Sequence, residues 1–192
     1  NRAPHKYTIF IGDGLLSRVG EYVDLQKYSG VAIITDKAVA KEWLLPLQKG
    51  IGKDAIIISV PEGEDAKTCF VAQKIWSRLL KERVDRKALI INMGGGAICD
   101  IGGFVAATYK RGIDFIQAPT TLLAQVDAAV GGKTGINFGG AKNMIGAMQQ
   151  PIAVFGDVSV LATLPWRAFV SGFAEVIKHG LIADKEYLQF AT

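Results

Sequence analysis

Two runs of this chain, Val31-Ala32-Ile33-Ile34-Thr35 and Ala88-Leu89-Ile90-Ile91-Asn92-Met93, are hydrophobic along their length rather than at alternate positions. A strand with one wet face alternates, because successive side chains point to opposite sides; a strand buried on both faces does not. Continuous runs therefore require a parallel sheet covered by helices on both sides. Tyr7–Ile11, Ala55–Val60 and Ile113–Ala118 read as further strands. Helical patterns stand between them. One runs from Asp36 to Leu45 and is halted by Pro46. A second spans Thr68 to Lys81, where Val71, Ile75 and Leu79 recur at four-residue steps and Trp76 and Leu80 widen the stripe. A third covers about Ile98 to Thr108. The expected class is α/β, a Rossmann-like parallel sheet with helices on both faces. After Asp157 the pattern changes: Pro165 to Ile182 reads as a helix with Pro165 in its first turn. Residues 1–162 are expected to form the α/β domain, and 163–192 are too few for a core of their own.

In parallel sheets ligands bind beyond the carboxyl ends of the strands, and many of the 22 glycines fall in that region, between Gly94 and Gly146. Gly94-Gly95-Gly96 follows a strand and precedes a helix, so bare N–H groups and the positive helix end can reach a diphosphate. The same turn serves a tight connection without any ligand, and it is not a G-x-G-x-x-G fingerprint. Glu64 and Lys67, three apart at another strand end, either face one ligand together or cap a helix in solvent. From Gln117 to Asn143, the polar Thr120, Thr121, Asp127, Lys133, Asn137, Lys142 and Asn143 are spread among small residues. Its two lysines and two asparagines, framed by Gly131-Gly132 and Gly139-Gly140, suit an anion-binding surface. Gly-Gly-Lys-Thr (131–134) is like the end of a P-loop, but Asp127 stands where that motif begins with glycine, which excludes triphosphate binding. On the last helix, Glu175 shares a face with Lys178 and His179. Spacing alone describes a salt-bridged helix ending at Gly180, since one carboxylate and one histidine cannot complete a zinc site.

Composition narrows the classes further. A net charge of +4, with no stripe of Lys and Arg, gives no footprint for nucleic acid. No apolar stretch reaches the length of a membrane span and no secretory signal is visible, so a cytoplasmic location is expected. Cys69 and Cys99 are too few for a disulfide framework and read as small buried hydrophobes.

Six ordered segments carry a resemblance: residues 94–100, Tyr109-Lys110-Arg111-Gly112, 119–127, 131–137, Lys142-Asn143-Met144-Ile145-Gly146 and 174–180. Together they resemble the 3-dehydroquinate synthase family, and the likeness extends more thinly back to Thr35-Asp36 and Glu64-x-x-Lys67. The resemblance implies conversion of 3-deoxy-arabino-heptulosonate 7-phosphate to 3-dehydroquinate and phosphate, in the shikimate pathway; the alternatives are a related sugar phosphate cyclase or a non-catalytic NAD-binding module. In that family NAD⁺ oxidises the C5 hydroxyl, the new ketone acidifies C6–H, phosphate leaves by β-elimination, and the alcohol is restored before the ring closes. Zinc, or cobalt, polarises the reacting oxygens.

Laid on matching positions, the resemblance assigns the dinucleotide to Asp36, Glu64, Lys67, Gly95, Gly96, Ala97, Asp100, Thr120, Thr121, Lys133, Lys142, Thr163 and Leu164. It places Asp127, Lys133, Asn143 and Lys178 at the reacting substrate, a phosphorylated sugar acid. It sends Arg111 to the substrate phosphate of a neighbouring subunit in a homodimer, and makes Glu175 a metal ligand. Two departures are small: Ala38 replaces a common asparagine, and Cys99 a common glycine. In the family the two remaining metal ligands are histidines of an all-α C-terminal domain, and neither His5 nor His179 stands at their positions. Residues 163–192 are thus expected to be the first helix of that domain, truncated, and the chain alone to be inactive.

Overall fold

The computed structural model describes residues 6–191, so His5 lies outside the described residues. Its strands are β1 (Thr8–Gly12), β2 (Val31–Asp36), β3 (Ala55–Val60), β4 (Leu89–Gly94), β5 (Asp114–Pro119), β6 (Lys133–Phe138), β7 (Ala141–Met148) and β8 (Ala153–Asp157). Six of them form one sheet in the order β1-β8-β5-β4-β2-β3, and every pairing in it is parallel. The helices are α1 (Val19–Tyr22), α2 (Lys37–Ile51), α3 (Cys69–Lys81), α4 (Gly96–Thr108), α5 (Trp166–Ala183) and α6 (Lys185–Ala191).

The continuous strands are continuous because each feeds two cores. Val31 and Ile33 of β2 join Leu16, Val19, Leu47 and Ile51 on the face of α1 and α2. Ala32 and Ile34 join Ile75, Leu79, Ile101 and Val105 on the face of α3 and α4. Because α2 and α4 cover opposite faces, the chain ends leaving β2 and β4 diverge, and a crevice opens between these neighbouring strands. Helix α4 packs tightly against β4 of the sheet and β6 of the hairpin. A Cβ on Gly102 would collide with the side chain of Asn92, and one on Gly103 with that of Thr134.

Several local expectations differ from the structure. Helix α2 runs through Pro46 for five more residues. Proline there removes the hydrogen bond to Glu42 O, but Leu47 and Ile51 beyond it are buried, and Gly50 lies flat on the backbone of Leu16 and Ser17. Tertiary packing outweighs the local break. Leu80 is exposed rather than part of the buried stripe of α3. Cys69, at the first turn of that helix, is exposed, whereas Cys99 is buried. Helix α4 begins at Gly96, two residues before the hydrophobic pattern does. The antiparallel β6–β7 hairpin carries too little apolar periodicity to be read from sequence, and strand β8, whose apolar run over 152–155 is short, was not expected. No helix among the described residues is long and apolar enough to cross a membrane.

Candidate functional site

Two adjoining cavities open at the carboxyl ends of the strands. The larger, about 900 Å³, extends from the end of β2 across the start of α4 to the turn after β8. The smaller, about 430 Å³, lies between α4, the 124–130 segment and the hairpin. Asp100 and Ala128 line both.

The floor of the larger cavity is main chain. Gly95 caps α4 without any side-chain hydrogen bond, so the first N–H groups of the helix point outward without intrahelical partners. Gly95 has φ −72, a conformation open to any residue; it is glycine because a Cβ would stand 3.1 Å from Thr121 Cγ2. A Cβ on Gly96 would stand 3.2 Å from that of Ala128. Side chains here would fill the space over the helix end. Beside it, Thr120 Oγ1 is buried and makes no hydrogen bond. An orphan hydroxyl next to unpartnered N–H groups at a helix N-terminus fits an oxyanion such as a diphosphate.

Across the crevice, Asp36 ends β2 and its Oδ1 accepts from Val39 N at 2.9 Å, capping α2. Glu64, Ala97, Asp100, Thr121, Thr163 and Leu164 line the same cavity. Trp43 lines it too and donates from Nε1 to Thr163 Oγ1 at 2.9 Å, tying α2 to the turn after β8. Sequence reasoning missed Trp43. Its four-residue step from Val39, on a helix opening at Asp36, was the available signal.

The smaller cavity gathers Asp127, Lys133 and Asn143. Asp127 belongs to a π-helical turn, Ala124–Ala128. Lys133 opens β6, and Asn143 sits in β7 with a positive φ of 56°, a strained region that asparagine tolerates better than most residues. The hydrogen bond from Asn137 lowers the pKa of Glu64 against the opposing effect of burial, and the charges of Lys67 and, least, Lys142 add to the lowering. Burial raises the pKa of Asp100, Lys67 partly offsets this, and Glu64 and Asp127 add to the rise.

Lys67 lines neither cavity. It is 3% exposed, and its Nζ donates to Asp100 Oδ2 at 2.7 Å and to Asn143 Oδ1 at 2.6 Å. Arg111 and Lys110, both at positive φ, lie in the turn between α4 and β5. That is the amino-terminal rim of the sheet, opposite the cavities, so Arg111 is not brought to this chain's own site. On α5, Glu175 pairs with Lys178, and His179 Nε2 lies 3.6 Å from Glu175 Oε1. Neither Glu175 nor Lys178 lines the two cavities. Among the described residues no group of three His, Cys, Asp or Glu side chains could hold a metal ion. The donor set around Glu175 therefore does not fit a metal centre by itself.

A sequence profile, 3-dehydroquinate synthase N-terminal, matches residues 57–171. The chain is 49% identical over 183 residues to a 3-dehydroquinate synthase of Azotobacter vinelandii, covering 95% of this chain and 50% of that protein. It is 44% identical over 185 residues to one from Bradyrhizobium diazoefficiens, covering 94% and 48%. It thus spans about half the length of the curated relatives it matches. A solved 2-deoxy-scyllo-inosose synthase, complexed with carbaglucose-6-phosphate, NAD⁺ and Co²⁺, superposes with a TM-score of 0.88 at 27% identity, over 94% of this chain and 51% of that one. A 2-epi-5-epi-valiolone synthase from Streptomyces hygroscopicus subsp. jinggangensis 5008, with NAD⁺ and Zn²⁺ bound, gives 0.86 at 27% identity, over 97% and 52%. Glycerol dehydrogenase from Schizosaccharomyces pombe, at 16% identity and a TM-score of 0.71 over 92% of this chain and 44% of that one, shares the fold alone.

Proposed function

The chain belongs to the 3-dehydroquinate synthase family, and from that premise we propose that it is the NAD⁺-binding and substrate-binding portion of such an enzyme. The reaction is conversion of 3-deoxy-arabino-heptulosonate 7-phosphate to 3-dehydroquinate with elimination of phosphate, carried out in the cytoplasm by a homodimer. The observation that carries this reading is the contiguity of the two cavities. A main-chain cradle for a diphosphate opens, across Asp100, into a pocket where Lys133 and Asn143 stand with Asp127 to receive a sugar phosphate. Higher identity to dehydroquinate synthases than to the two other cyclases favours the carboxylated substrate.

Bound NAD⁺ would supply reversible hydride transfer at the substrate carbinol. The N–H groups of Gly95, Gly96 and Ala97 would receive its diphosphate, with Thr120 Oγ1 donating beside them. Asp36, which has one oxygen committed to α2, would accept from a ribose hydroxyl with the other. Glu64, Thr121, Thr163 and Leu164 would complete the walls. Lys133 and Asn143 would hold the anionic substrate, with Lys142 at the hairpin edge and Asp127 at the junction with the nicotinamide. Lys178 and the metal ligand Glu175 would join them only in the whole enzyme, where residues from 163 onward open a helical domain. The packing of Gly172 against Leu122 and Leu123 supports that arrangement, because it anchors α5 beside the 124–128 turn. Arg111 would serve the partner subunit.

Calorimetric titration of the 192-residue chain with NAD⁺ is the direct test. One saturable site is expected, and the absence of saturable heat would overturn the cofactor reading. A coupled assay for released phosphate is expected to read zero for this chain alone, since Glu175 has no co-ligands among the described residues.

A further inference from the structure

Lys67 is buried among polar groups that belong to two different cavities, although it lines neither. Its ammonium is a donor only, so the atom of Asn143 that it contacts at 2.6 Å must be the carbonyl oxygen. The usual ambiguity of an amide flip is removed by this partner. Asn143 Nδ2 makes no hydrogen bond among the described residues, and Asn143 lines the smaller cavity. The same ammonium takes one oxygen of Asp100, the carboxylate shared by both cavities. Around it the network closes on the hairpin. Asn137 N donates to Lys67 O at 2.8 Å, Asn137 Nδ2 to Glu64 Oε2 at 2.9 Å, and Asn143 N to Asn137 Oδ1 at 3.0 Å.

We propose that Lys67 is a positioning residue that polarises the smaller cavity. By claiming Asn143 Oδ1 it leaves that side chain's two N–H donors for the ligand, so the pocket presents donors from Asn143 and Lys133 to an anionic oxygen. By pairing with Asp100 Oδ2 it offsets the charge of the carboxylate that lines both cavities and would otherwise repel that anion. The resemblance assigns Lys67 a contact with the dinucleotide, and the role proposed here is additional to that contact. The ligand class rests on the reading given under Proposed function; the orientation of the amide does not.

Two measurements separate these layers. In ¹⁵N-labelled wild-type chain, the Lys67 ammonium is expected to give a slowly exchanging resonance with a through-bond coupling to the Asn143 side-chain carbonyl carbon. Asn143→Asp should keep that coupling and Asn143→Ala should abolish it. A Lys67 ammonium that exchanges like a surface lysine, or one indifferent to Asn143→Ala, overturns the proposal whatever the chain binds. The second measurement is calorimetry of 3-deoxy-arabino-heptulosonate 7-phosphate with NAD⁺-saturated protein. Lys67→Met is expected to weaken sugar binding about tenfold or more, because both Asn143 and Asp100 lose their fixed partner. Asn143→Asp should weaken it at least as much while its melting temperature stays at the wild-type value. A merely structural Lys67 predicts the reverse, namely full sugar affinity in whatever fraction of Lys67→Met remains folded, and that outcome also overturns the proposal. Failure of wild-type chain to bind NAD⁺ would instead count against the proposed function, leaving the resonance measurement to decide this inference.

Discussion

The two cavities share Asp100 yet are built from different materials. The larger is a main-chain device: glycines and a helix terminus at the end of a sheet whose strands β2 and β4 are buried at every residue. The smaller is a side-chain device, carried by a hairpin whose β7 strand is largely exposed and held in place by one buried ammonium. A main-chain site fails when something is added, because any Cβ occupies the space of the ligand. A side-chain site fails when something is removed, because each polar group is oriented by the next. Helix α4 serves both, and it meets the sheet where least tolerance exists.

The largest expected effect therefore comes from the joint between them. Gly102→Val would drive a branched side chain into Asn92, which is itself fully buried. Helix propensity favours the substitution by a few tenths of a kcal/mol, but overpacking at a helix–sheet contact costs about 3 kcal/mol and wins. The urea midpoint should fall with an unchanged slope, and NAD⁺ and sugar binding should fail together. A variant with wild-type midpoint would break the view that α4 is the rigid common wall.

Next in size is Gly96→Val, which tests the main-chain cradle alone. Its Cβ meets only Ala128, so the fold should survive with a modest loss while the new side chain covers the helix end. NAD⁺ affinity is expected to drop at least about tenfold, roughly 1.4 kcal/mol, read by calorimetry. If affinity is unchanged, the diphosphate does not sit on the helix end.

Thr120→Val should be smaller, and opposite in sign for stability. A buried hydroxyl without a partner costs free energy, whereas an isosteric methyl does not. The variant should gain up to about 1 kcal/mol in thermal unfolding and lose a few-fold in NAD⁺ affinity. A loss of stability would mean that the hydroxyl has a partner, such as an ordered water.

The contrast in materials also explains what was legible in the sequence. Strands β2 and β4 were readable to within a residue because burial on both faces imposes continuous hydrophobicity; β3, a partly buried edge strand, was readable from its run of β-branched residues between Asp54 and Pro61. The Gly94-Gly95-Gly96 turn was readable because the absence of side chains is itself a signal. The hairpin was not: its inward residues, Thr134, Ile136 and Ile145, are diluted by Gly135, Gly146 and polar neighbours, so no period of two stands out. Strand β8, buried throughout, carries the same signal in short form, the apolar run Ile152-Ala153-Val154-Phe155 between Pro151 and Gly156, whose four residues are too few to stand out. Asn143 and Lys67 were singled out as polar residues in sequence, but only the fold shows that the second orients the first. The continuation of α2 past Pro46 was hidden for the same reason, since the packing that stabilises it comes from distant residues.

The smallest effect expected is on acidity, and it distinguishes the two sides of the shared wall by sign. The hydrogen bond from Asn137 is the main cause of the lowered pKa of Glu64, which ordinarily titrates near 4.5. Stability contributed by this contact is thus complete above pH 4.5 and is lost as pH falls through the lower, folded-state value. Asp100 behaves in the opposite way. Burial places its folded-state pKa above the ordinary 3.8, so its contribution is complete below 3.8 and diminishes as pH rises through the folded value. On acidification the hairpin clasp at Glu64 should therefore loosen while the α4 wall at Asp100 does not. Hydrogen exchange of the β6–β7 amides, compared with those of α4 between pH 3 and pH 7, reads this directly. Protection should decline first in the hairpin, and Glu64→Gln, whose side-chain oxygen can still accept from Asn137, should abolish the acid step without touching α4. Since Glu64 is half exposed, solvent screens it and the step should be shallow. Parallel loss of protection in both elements would mean that the hairpin and the helix open as one unit, and that the two cavities are not separable in the way their construction implies.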